Sequence, residues 1–368
     1  MFVAASPLCL SPAEAAETDV SALLAKLRAV GAKAQGNREA VDAWRALSLK
    51  DAARLPEILA GMDGAGPLAT NYIRAAVDTI AERALAGGGK LPVAKLEAFL
   101  LNPRHAPRGR RVAYEWLAKV DPTAPDRLIP KMLDDPSLEL RRDAVARVIE
   151  TAEKARAAKK KADATAAYSK ALAAARDLDQ IKACSKQLRE LGGKVDLPGQ
   201  MGFLMSWRLI GPFDNIDKKG YDVPYAPEKQ IDLKATHQGK LGPVKWIEHT
   251  TKDDFGIVDL AKAIDKHKGA IIYATTEFHS DTARDVDLRL GCINANKLWL
   301  NGKLISKHEV YHANMVVDQY TSRVKLRAGR NVILLKICQN EQTETWAQRW
   351  QFQLRVCDTI GTAIASRR

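Results

Sequence analysis

The chain has 368 residues, 46% of them hydrophobic and 27% charged, which is the composition of a globular protein long enough for two hydrophobic cores. Its formal net charge is +13, and the excess is spread about evenly over both halves of the chain. Such a spread is typical of solvated surfaces, so we do not expect a nucleic-acid partner. No segment approaches the roughly 20 apolar residues that cross a bilayer, so we expect no membrane span.

The first residues of the chain resemble the end of a signal peptide. Residues 1–10 are mostly apolar, and Ala13, Ala15 and Ala16 follow them in the pattern of a cleavage site. The basic segment that should precede the apolar run is missing, so a truncated leader and a chance match both stay open. We expect residues 1–20 to be a signal-peptide remnant and the protein to be exported, to the periplasm or the cell exterior.

Residues 21–150 are Ala-rich with a helical period, and one short frame occurs in them three times. In each copy an Arg is followed two residues later by Ala and six residues later by an aliphatic residue. The copies begin at Arg74, Arg111 and Arg142, and they are 31 to 37 residues apart, which is the spacing of helical repeats. Shorter helices are predicted before the three copies, over residues 51–61, 92–101 and 124–133.

The third copy carries a further pattern, because residues 133–144 contain an acidic turn, then Arg, then a small residue. This pattern resembles a HEAT repeat, in which the Arg reaches acidic turn groups of the adjacent repeat and the Ala lets helices approach closely. One helix pair cannot bury its apolar face alone, so at least three should stack. The resemblance implies an α-solenoid over residues 21–150 with a protein-contact surface. A long helix and a helical hairpin over residues 151–195 would close it.

After residue 203 the hydrophobic period changes to two, which predicts β-strands. Asn301 and Gly302 separate two apolar runs, the strongest short signal for a hairpin with a type I′ turn. Over residues 350–356 apolar and polar residues alternate strictly, so we expect one buried and one solvated face. The other predicted strands cover residues 207–213, 244–249, 270–278, 288–290, 297–300, 303–306, 315–317 and 331–337.

These strands carry a second resemblance. Trp207 with residues 211–213 (Gly-Pro-Phe), residues 298–303 (Leu-Trp-Leu-Asn-Gly-Lys) and residues 327–336 resemble the galactose-binding-like modules that flank glycoside hydrolase barrels. The resemblance covers nearly all of residues 203–360 and implies an antiparallel β-sandwich, or jelly roll, with a glycan as candidate ligand. Many such modules serve only in packing. The expected fold class is therefore α+β multidomain: an N-terminal α-solenoid followed by a β-sandwich.

Residues 308–312 read His-Glu-Val-Tyr-His, the formal H-E-x-x-H signature of zinc proteases. Two His four residues apart share a zinc only on a helix, with Glu309 as general base and Glu341 as the candidate third ligand. The segment closely follows the hairpin strand, so we expect it to be extended. In a strand the two imidazoles would lie about 13 Å apart, too far to share a metal. A metal-dependent or glycan-active hydrolase is therefore the alternative, not the expectation.

Metal and redox chemistry find little support elsewhere. Cys184, Cys292, Cys338 and Cys357 form no Cys-x-x-Cys pair. Cys338 and Cys357 end two strands in the outward register, and a disulfide between them and two free thiols both stay open. Related PA14-type sandwiches hold calcium with an Asp-Asp pair, where residues 292–296 here carry Asn; without carboxylate charge the affinity should be low. We expect no metal and no cofactor.

The remaining candidates are polar and aromatic residues in loops at one rim of the expected sandwich. Sugar recognition uses an aromatic face for the apolar side of a pyranose and amides, Arg or His for its hydroxyls. Trp346 is the preferred platform because it lies in a polar loop, although a role in capping the core stays open. The candidate ligand-binding residues are Asn294, Asn296, Tyr311, His312, Asn314, Trp346 and Arg349. We expect a non-catalytic binding or scaffold protein; the alternatives are the hydrolase and a purely structural envelope component.

Overall fold

A computed structural model describes residues 19–367 of the chain. The chain divides into two compact units, one up to Gln187 and one from Leu188 onward. Most described helices lie in the first unit, and the antiparallel sheets lie in the second, as the sequence predicts. Within residues 19–367, no helix combines the length and apolar character needed to cross a membrane. The predicted signal-peptide remnant lies outside the described residues apart from Asp19 and Val20, which cap and begin the first helix.

The described residues from 19 to 190 form ten α-helices, joined in places by short 3₁₀ turns. They are α1 Val20–Arg28, α2 Asn37–Ser48, α3 Leu55–Ala60, α4 Pro67–Ala86, α5 Val93–Leu101, α6 Pro107–Val120, α7 Ala124–Leu128, α8 Leu138–Ala157, α9 Lys161–Ala174 and α10 Leu178–Glu190. The short helices α3, α5 and α7 fall where the sequence predicts a helix before each repeat frame. The three frames begin in α4, α6 and α8.

The repeat frame has a direct structural counterpart. Its Ala residues, Ala76, Ala113 and Ala144, are at most 1% exposed, and they lie in one continuous core with the large apolar side chains of these helices. Each frame Arg pairs with a carboxylate on the second helix after its own, so the pairs join α4 to α6, α6 to α8 and α8 to α10. The pairs are Arg74–Glu115 at 2.6 Å, Arg111–Asp143 at 2.5 Å and Arg142–Asp179 at 2.6 Å. Alternate helices from α4 to α10 are thus linked by one repeated ion pair.

The acidic turn before α8 is bound by a different Arg from the one expected. Both guanidinium nitrogens of Arg110, at 2.6 and 2.7 Å, donate to the Asp135 carboxylate, and this pair is buried. The Asp135 carbonyl accepts from Arg141 Nε at 2.8 Å. Arg110 and Arg141 each precede a frame Arg by one residue, so they point inward while the frame Arg stays on the surface. The frame residue Arg142 does reach an acidic residue of a turn, Asp177 before α10 at 3.4 Å, whereas Arg110 and not a frame Arg binds the turn at Asp135.

The region after residue 150 also differs from the expectation. No separate long helix begins there, because α8 continues through residue 150 to Ala157. Lys159, at φ +57°, lies in the turn before α9, so the basic run at residues 154–161 spans a turn and not one helix. The two helices predicted after it are present as α9 and α10. Continuous Ala, Lys and Arg, all strong helix formers, hide this break from a sequence pattern.

The second unit contains twelve described strands in two larger sheets and one two-stranded ribbon. They are β1 Ser206–Asp214, β2 His237–Gln238, β3 Pro243–Val244, β4 Ile247–Thr250, β5 Val258–Asp259, β6 Ala270–Ser280, β7 Arg284–Cys292, β8 Ala295–Leu300, β9 Lys303–His308, β10 Tyr320–Leu326, β11 Gly329–Gln339 and β12 Gln351–Cys357. The six-stranded sheet has the order β4-β1-β6-β11-β8-β9, and the four-stranded sheet has the order β10-β7-β12-β5. All their pairings are antiparallel.

One hydrophobic core takes side chains from both larger sheets. Trp207, Ile272 and Leu335 come from the six-stranded sheet, and Leu290 and Phe352 come from the four-stranded sheet. Side chains alternate between the two faces of each strand, so every second residue of these strands enters this core. The remaining residues of each strand lie on an outer face.

The hairpin prediction is confirmed, one strand prediction is wrong, and the strand predicted over residues 244–249 is split between β3 and β4, which belong to different sheets. Asn301 and Gly302 have φ of +52° and +78° and join β8 to β9, as a type I′ turn requires. Residues 315–317 are not a strand; the strand in this region is β10, which begins at residue 320 and pairs with β7. The apolar run Met-Val-Val suggested the strand, whereas the polar sequence of β10 hid it.

The expected solvated face of β12 is buried. Gln353 is 2% exposed and Arg355 is 4% exposed. Arg355 donates to the carbonyls of Met201 and Gly361, so the chain before β1 and after β12 covers this face. Its guanidinium also pairs with Asp318 at 2.5 Å. The alternation is therefore real, but both faces are covered by protein.

Residues 215–233 cover part of the outer face of the six-stranded sheet, where Tyr221, Tyr225 and Ile231 pack on it. Lys336 of β11 lies beneath this segment and is 0% exposed. Its ammonium donates to the carbonyls of Tyr221 and Val223 and to Glu228 Oε1, each at 2.8 Å. The Tyr273 hydroxyl donates to the same carboxylate oxygen at 2.5 Å. These bonds fasten the segment to the sheet, and burial lowers the pKa of Lys336.

The cysteines of the described residues are all free and buried. Cys338 ends β11 in the six-stranded sheet and Cys357 ends β12 in the four-stranded sheet, so their strands are not neighbours. Both lie on outer faces, as their register predicts, but those faces are covered. Of the two alternatives left by the sequence, the structure has the free thiols.

Candidate functional site

Five of the seven predicted ligand-binding residues come together where several loops meet at one end of the two sheets. We call this place the loop rim and define it by Asn294, Asn296, Tyr311, His312 and Trp346. The first two flank the start of β8, the next two follow β9, and Trp346 lies in the 3₁₀ turn Thr345–Gln348 between β11 and β12. Residues far apart in the chain thus form one cluster.

His312 is the centre of the loop rim and is held by three contacts. Its backbone N–H donates to Asn294 Oδ1 at 3.3 Å, and its ring Nε2 lies 2.7 Å from Asn340 Oδ1. Its ring meets the Trp346 ring edge to face, with centroids 5.1 Å apart and an interplanar angle of 87°. Asn340 Nδ2 donates to Gln342, so Asn340 Oδ1 is the acceptor and His312 Nε2 carries the proton in the neutral ring. Nδ1 is then a buried acceptor without a protein partner.

Trp346 is the exposed element of the loop rim. Its side chain is 59% exposed, whereas Trp207, Trp299 and Trp350 are at most 7% exposed. The contact with His312 fixes one edge of the indole while most of its surface faces solvent. The sequence left open whether Trp346 is a platform or a cap over the core, and this exposure favours the platform.

Asn294 and Asn296 support the loops from below. Both are 0% exposed, so neither side chain faces solvent. Asn294 Nδ2 donates to Gln339 Oε1 at 2.8 Å, and Asn296 Nδ2 donates to the Asn294 carbonyl at 3.1 Å. They position the backbone that holds His312, and a ligand at the surface would not touch them.

Tyr311 belongs to the covered part of the loop rim. Its hydroxyl accepts from Asn215 Nδ2 at 3.1 Å, and Lys218 Nζ lies 5.3 Å from the centre of its ring. Burial raises the pKa of Tyr311, so its hydroxyl is a neutral group at physiological pH. Asn215 also donates to the Gln339 carbonyl, which joins this pair to the Asn294 network.

Asn314 and Arg349 do not join this cluster. Both are exposed, and within residues 19–367 neither side chain has a hydrogen bond or ion pair to another protein group. The structure thus brings five of the predicted residues together and leaves two apart.

The H-E-x-x-H segment is not helical, as predicted. His308 is the last residue of β9 and stacks on Tyr320, with ring centroids 3.8 Å apart, whereas His312 turns to Asn340. Burial lowers the pKa of His308. Glu341, the suggested third ligand, accepts from the backbone N–H of Asp217 at 2.5 Å. Across the described part of the chain, His, Cys, Asp and Glu form no group of three or more that could hold a metal.

The sequence reasoning missed three residues that hold the loop rim together. They are Asn215, Gln339 and Asn340. Gln339 ends β11 and Asn340 follows it, while Asn215 directly follows β1. The sequence shows these three residues only as polar amides at the ends of two strands. Their common location could be inferred only from the strand order, which places β1 and β11 on either side of β6.

The comparisons with known proteins identify no family. No family model and no curated protein matches the chain. A beta-glucosidase from Kluyveromyces marxianus in complex with glucose is similar at 16% identity over 30% of this chain and 14% of its own, with a TM-score of 0.24. An anti-sigma factor domain-containing protein from Clostridium clariflavum has 14% identity, coverage of 44% and 45%, and a TM-score of 0.26.

A beta-glucuronidase from an uncultured Clostridium species is similar at 13% identity, with coverage of 43% of this chain and 29% of its own and a TM-score of 0.24. The chain therefore spans less than half the length of each of these structures. At TM-scores of this size the likeness supports no conclusion about function.

Proposed function

We propose that this chain is a non-catalytic binding protein of the cell envelope or exterior. In this proposal the helical unit is a HEAT-like α-solenoid and the second unit is a galactose-binding-like β-sandwich. The repeated Arg–carboxylate pairs between alternate helices support the first assignment. The hydrophobic core shared by two antiparallel sheets supports the second.

The proposed activity of the second unit is glycan binding at the loop rim. The observation that carries it is Trp346, an indole 59% exposed yet fixed against His312. A flat aromatic surface takes the apolar face of a pyranose, and placing it in advance lowers the entropy cost of binding. The network that orients Asn340 and His312 is built below this surface and makes it rigid.

Affinity electrophoresis tests this proposal. Wild-type protein, Trp346→Ala and the control Leu241→Ala run through gels that contain neutral polysaccharides. Leu241 is also an exposed apolar side chain of the second unit, at 72%, so the control removes a similar surface group. We expect at least one polysaccharide to retard wild type and Leu241→Ala, and Trp346→Ala to bind about tenfold more weakly or less. Equal retardation of both variants on every retarding glycan would contradict a site at Trp346.

The proposed role of the helical unit is protein contact. Its surface carries exposed apolar side chains, among them Leu49 at 77% and Leu68 at 48%. Single exposed leucines are common on soluble proteins, so the test is direct. Chemical crosslinking in native extracts of the source cells should yield a defined partner that Leu49→Glu or Leu68→Glu removes, while Trp346→Ala keeps it.

The alternative hydrolase is tested separately. Glu309→Gln removes the only carboxylate of the H-E-x-x-H motif, and purified wild-type protein can be analysed for zinc. Stoichiometric zinc together with hydrolysis that Glu309→Gln abolishes would replace the non-catalytic proposal. The non-helical conformation of residues 308–312, in which His312 has φ of +57°, predicts neither result.

A further inference from the structure

A second concave surface lies on the outer face of the six-stranded sheet, away from the loop rim. Leu233, at the end of the covering segment 215–233, lies in its wall. Two cavities of about 310 Å³ and 750 Å³ lie on this face. They share Arg208, Leu233, Thr275, Thr276 and Glu277 in their walls, so they form one continuous groove across β1, β6 and β11. Its size is in the range of small-ligand sites.

The groove combines an apolar floor with hydroxyl groups. Trp299 and Leu334 line one end, and the exposed Ser206 and Thr250 line the groove farther along. Trp299 is only 7% exposed, so its contribution is a patch of the floor and not a projecting ring. A pyranose chain offers the matching surfaces, because its rings have apolar faces and its edges carry hydroxyls.

The charge of the groove is positive. Lys229 and Arg327 line its wall and are exposed. Within residues 19–367 neither side chain has a carboxylate within ion-pair distance; Arg327 Nε donates to the Arg330 carbonyl at 2.8 Å. The carboxylate between them and the floor, Glu228, is already neutralised by the buried ammonium of Lys336 at 2.8 Å. Two cationic groups are therefore free to meet a ligand.

The other two cationic side chains of the groove form only weak ion pairs. Arg208 pairs with Glu248 at 3.2 Å and Arg330 pairs with Glu277 at 2.8 Å. The Glu248 side chain is 83% exposed, and exposed pairs of this kind contribute little energy. Four cations thus face the two carboxylates Glu248 and Glu277, an excess of two positive charges, and the guanidinium groups suit planar anions with two oxygens.

We propose that this groove binds an acidic oligosaccharide, one that carries carboxylate or sulfate groups. Its anionic groups lie against Lys229 and Arg327, and its rings lie on the floor between Trp299 and Leu334. A single-stranded nucleic acid would use the same cations, but it also needs projecting aromatic side chains on which successive bases stack. Trp207 and Trp299 are the tryptophans among the described groove residues, and both are nearly buried, at 2% and 7% exposed, which favours the glycan. The site is separate from Trp346 and does not depend on glycan binding at the loop rim.

Affinity electrophoresis through gels with polygalacturonate, alginate or chondroitin sulfate tests the proposal. The groove variant is Lys229→Gln with Arg327→Gln. The control is Arg284→Gln with Lys325→Gln, which removes the same charge from exposed residues of β7 and β10 in the other sheet. We expect at least one polymer to retard wild type, the control and Trp346→Ala alike, and the groove variant to bind about tenfold more weakly.

Several results would overturn this assignment. If no acidic polymer retards the wild type, the groove does not bind this class. An equal loss in the control variant would show that the net charge of +13 acts as a general cation exchanger. An equal loss in Trp346→Ala would place acidic glycans at the loop rim. A single-stranded oligonucleotide could bind more tightly than every acidic glycan. If the groove variant lost that binding, the groove would be assigned to nucleic acid.

Discussion

The buried ion pair between Lys336 and Glu228 gives the sharpest stability prediction for the second unit. Lys336 is 0% exposed, and its three ammonium hydrogens are all used, by two carbonyls and by Glu228. Glu228→Gln keeps an acceptor for Lys336 and Tyr273 and removes only the charge. An uncompensated buried charge costs about 3–5 kcal/mol. For a unit of this size the melting temperature should fall by roughly 6–20 °C.

The loss should depend on pH in a defined direction. The folded-state pKa of Lys336 is lowered, chiefly by burial, while Glu228 raises it. Glu228→Gln therefore lowers the folded-state pKa of Lys336 further. At a pH between this folded-state pKa and the pKa of an unfolded lysine, the unfolded chain binds more protons than the folded one. Stability of the variant then rises with pH over that window. Its deficit relative to wild type should be largest at neutral pH and should narrow towards pH 10.

Thermal and urea unfolding followed by tryptophan fluorescence measure this deficit. Glu277→Gln is the control, because it breaks an exposed pair with Arg330 and should cost less than about 1 kcal/mol. Adding Lys336→Met to Glu228→Gln should recover most of the loss, since an apolar group then replaces the stranded charge. An equal loss in both single variants, or a deficit that widens with pH, would refute the reasoning.

Three further predictions follow from single contacts. Arg110→Ala should destabilise the helical unit by about 3–5 kcal/mol in urea unfolding, because it strands the buried Asp135 carboxylate; a loss below 1 kcal/mol would show the pair to be solvated. Gly211→Ala should cost at least about 2 kcal/mol, since φ is +147° there and a Cβ would lie 2.5 Å from the Ile271 carbonyl oxygen; unchanged stability would contradict this geometry. The third prediction concerns the thiols of a Cys9→Ser chain, in which Ellman's reagent at pH 8 should modify no cysteine before unfolding and four cysteines after it. The described cysteines are buried, and burial raises the pKa of their thiols. Rapid labelling of the folded protein would contradict this burial.

The sequence predicts what depends on local periodicity and turn chemistry. The short helices before the repeat frames, the buried frame Ala residues and the hairpin at Asn301 and Gly302 are all present. These features follow from neighbours within a few residues of the chain. Reasoning from periodicity fails where an irregular segment covers the face of a sheet. It therefore predicted that the outer face of β12 is solvated, although Arg355 on that face is only 4% exposed.

The candidate site was predictable in part for the same reason. Trp346 and His312 could be proposed as neighbours because both lie in polar loops between strands. Asn294 is a buried support and Asn340 orients His312 because particular strand ends meet in the sheets. The alternation of apolar and polar residues along a strand does not encode the strand order, so these two roles could not be predicted. Lys336 is the extreme case, since an alternating strand predicts a lysine in water and the structure has it at 0% exposure.

Fluorine NMR of protein labelled with 5-fluorotryptophan tests glycan binding at the loop rim most directly. The chain has seven tryptophans, and Trp346→Phe assigns the Trp346 resonance by its loss. With a neutral glycan that retards the protein in gels, we predict a shift of the Trp346 resonance while the nearly buried Trp207, Trp299 and Trp350 stay unchanged. A shift of the Trp299 resonance without a shift of the Trp346 resonance would show that neutral glycans bind in the groove and not at the loop rim. Binding that shifts no tryptophan would contradict the proposed platform.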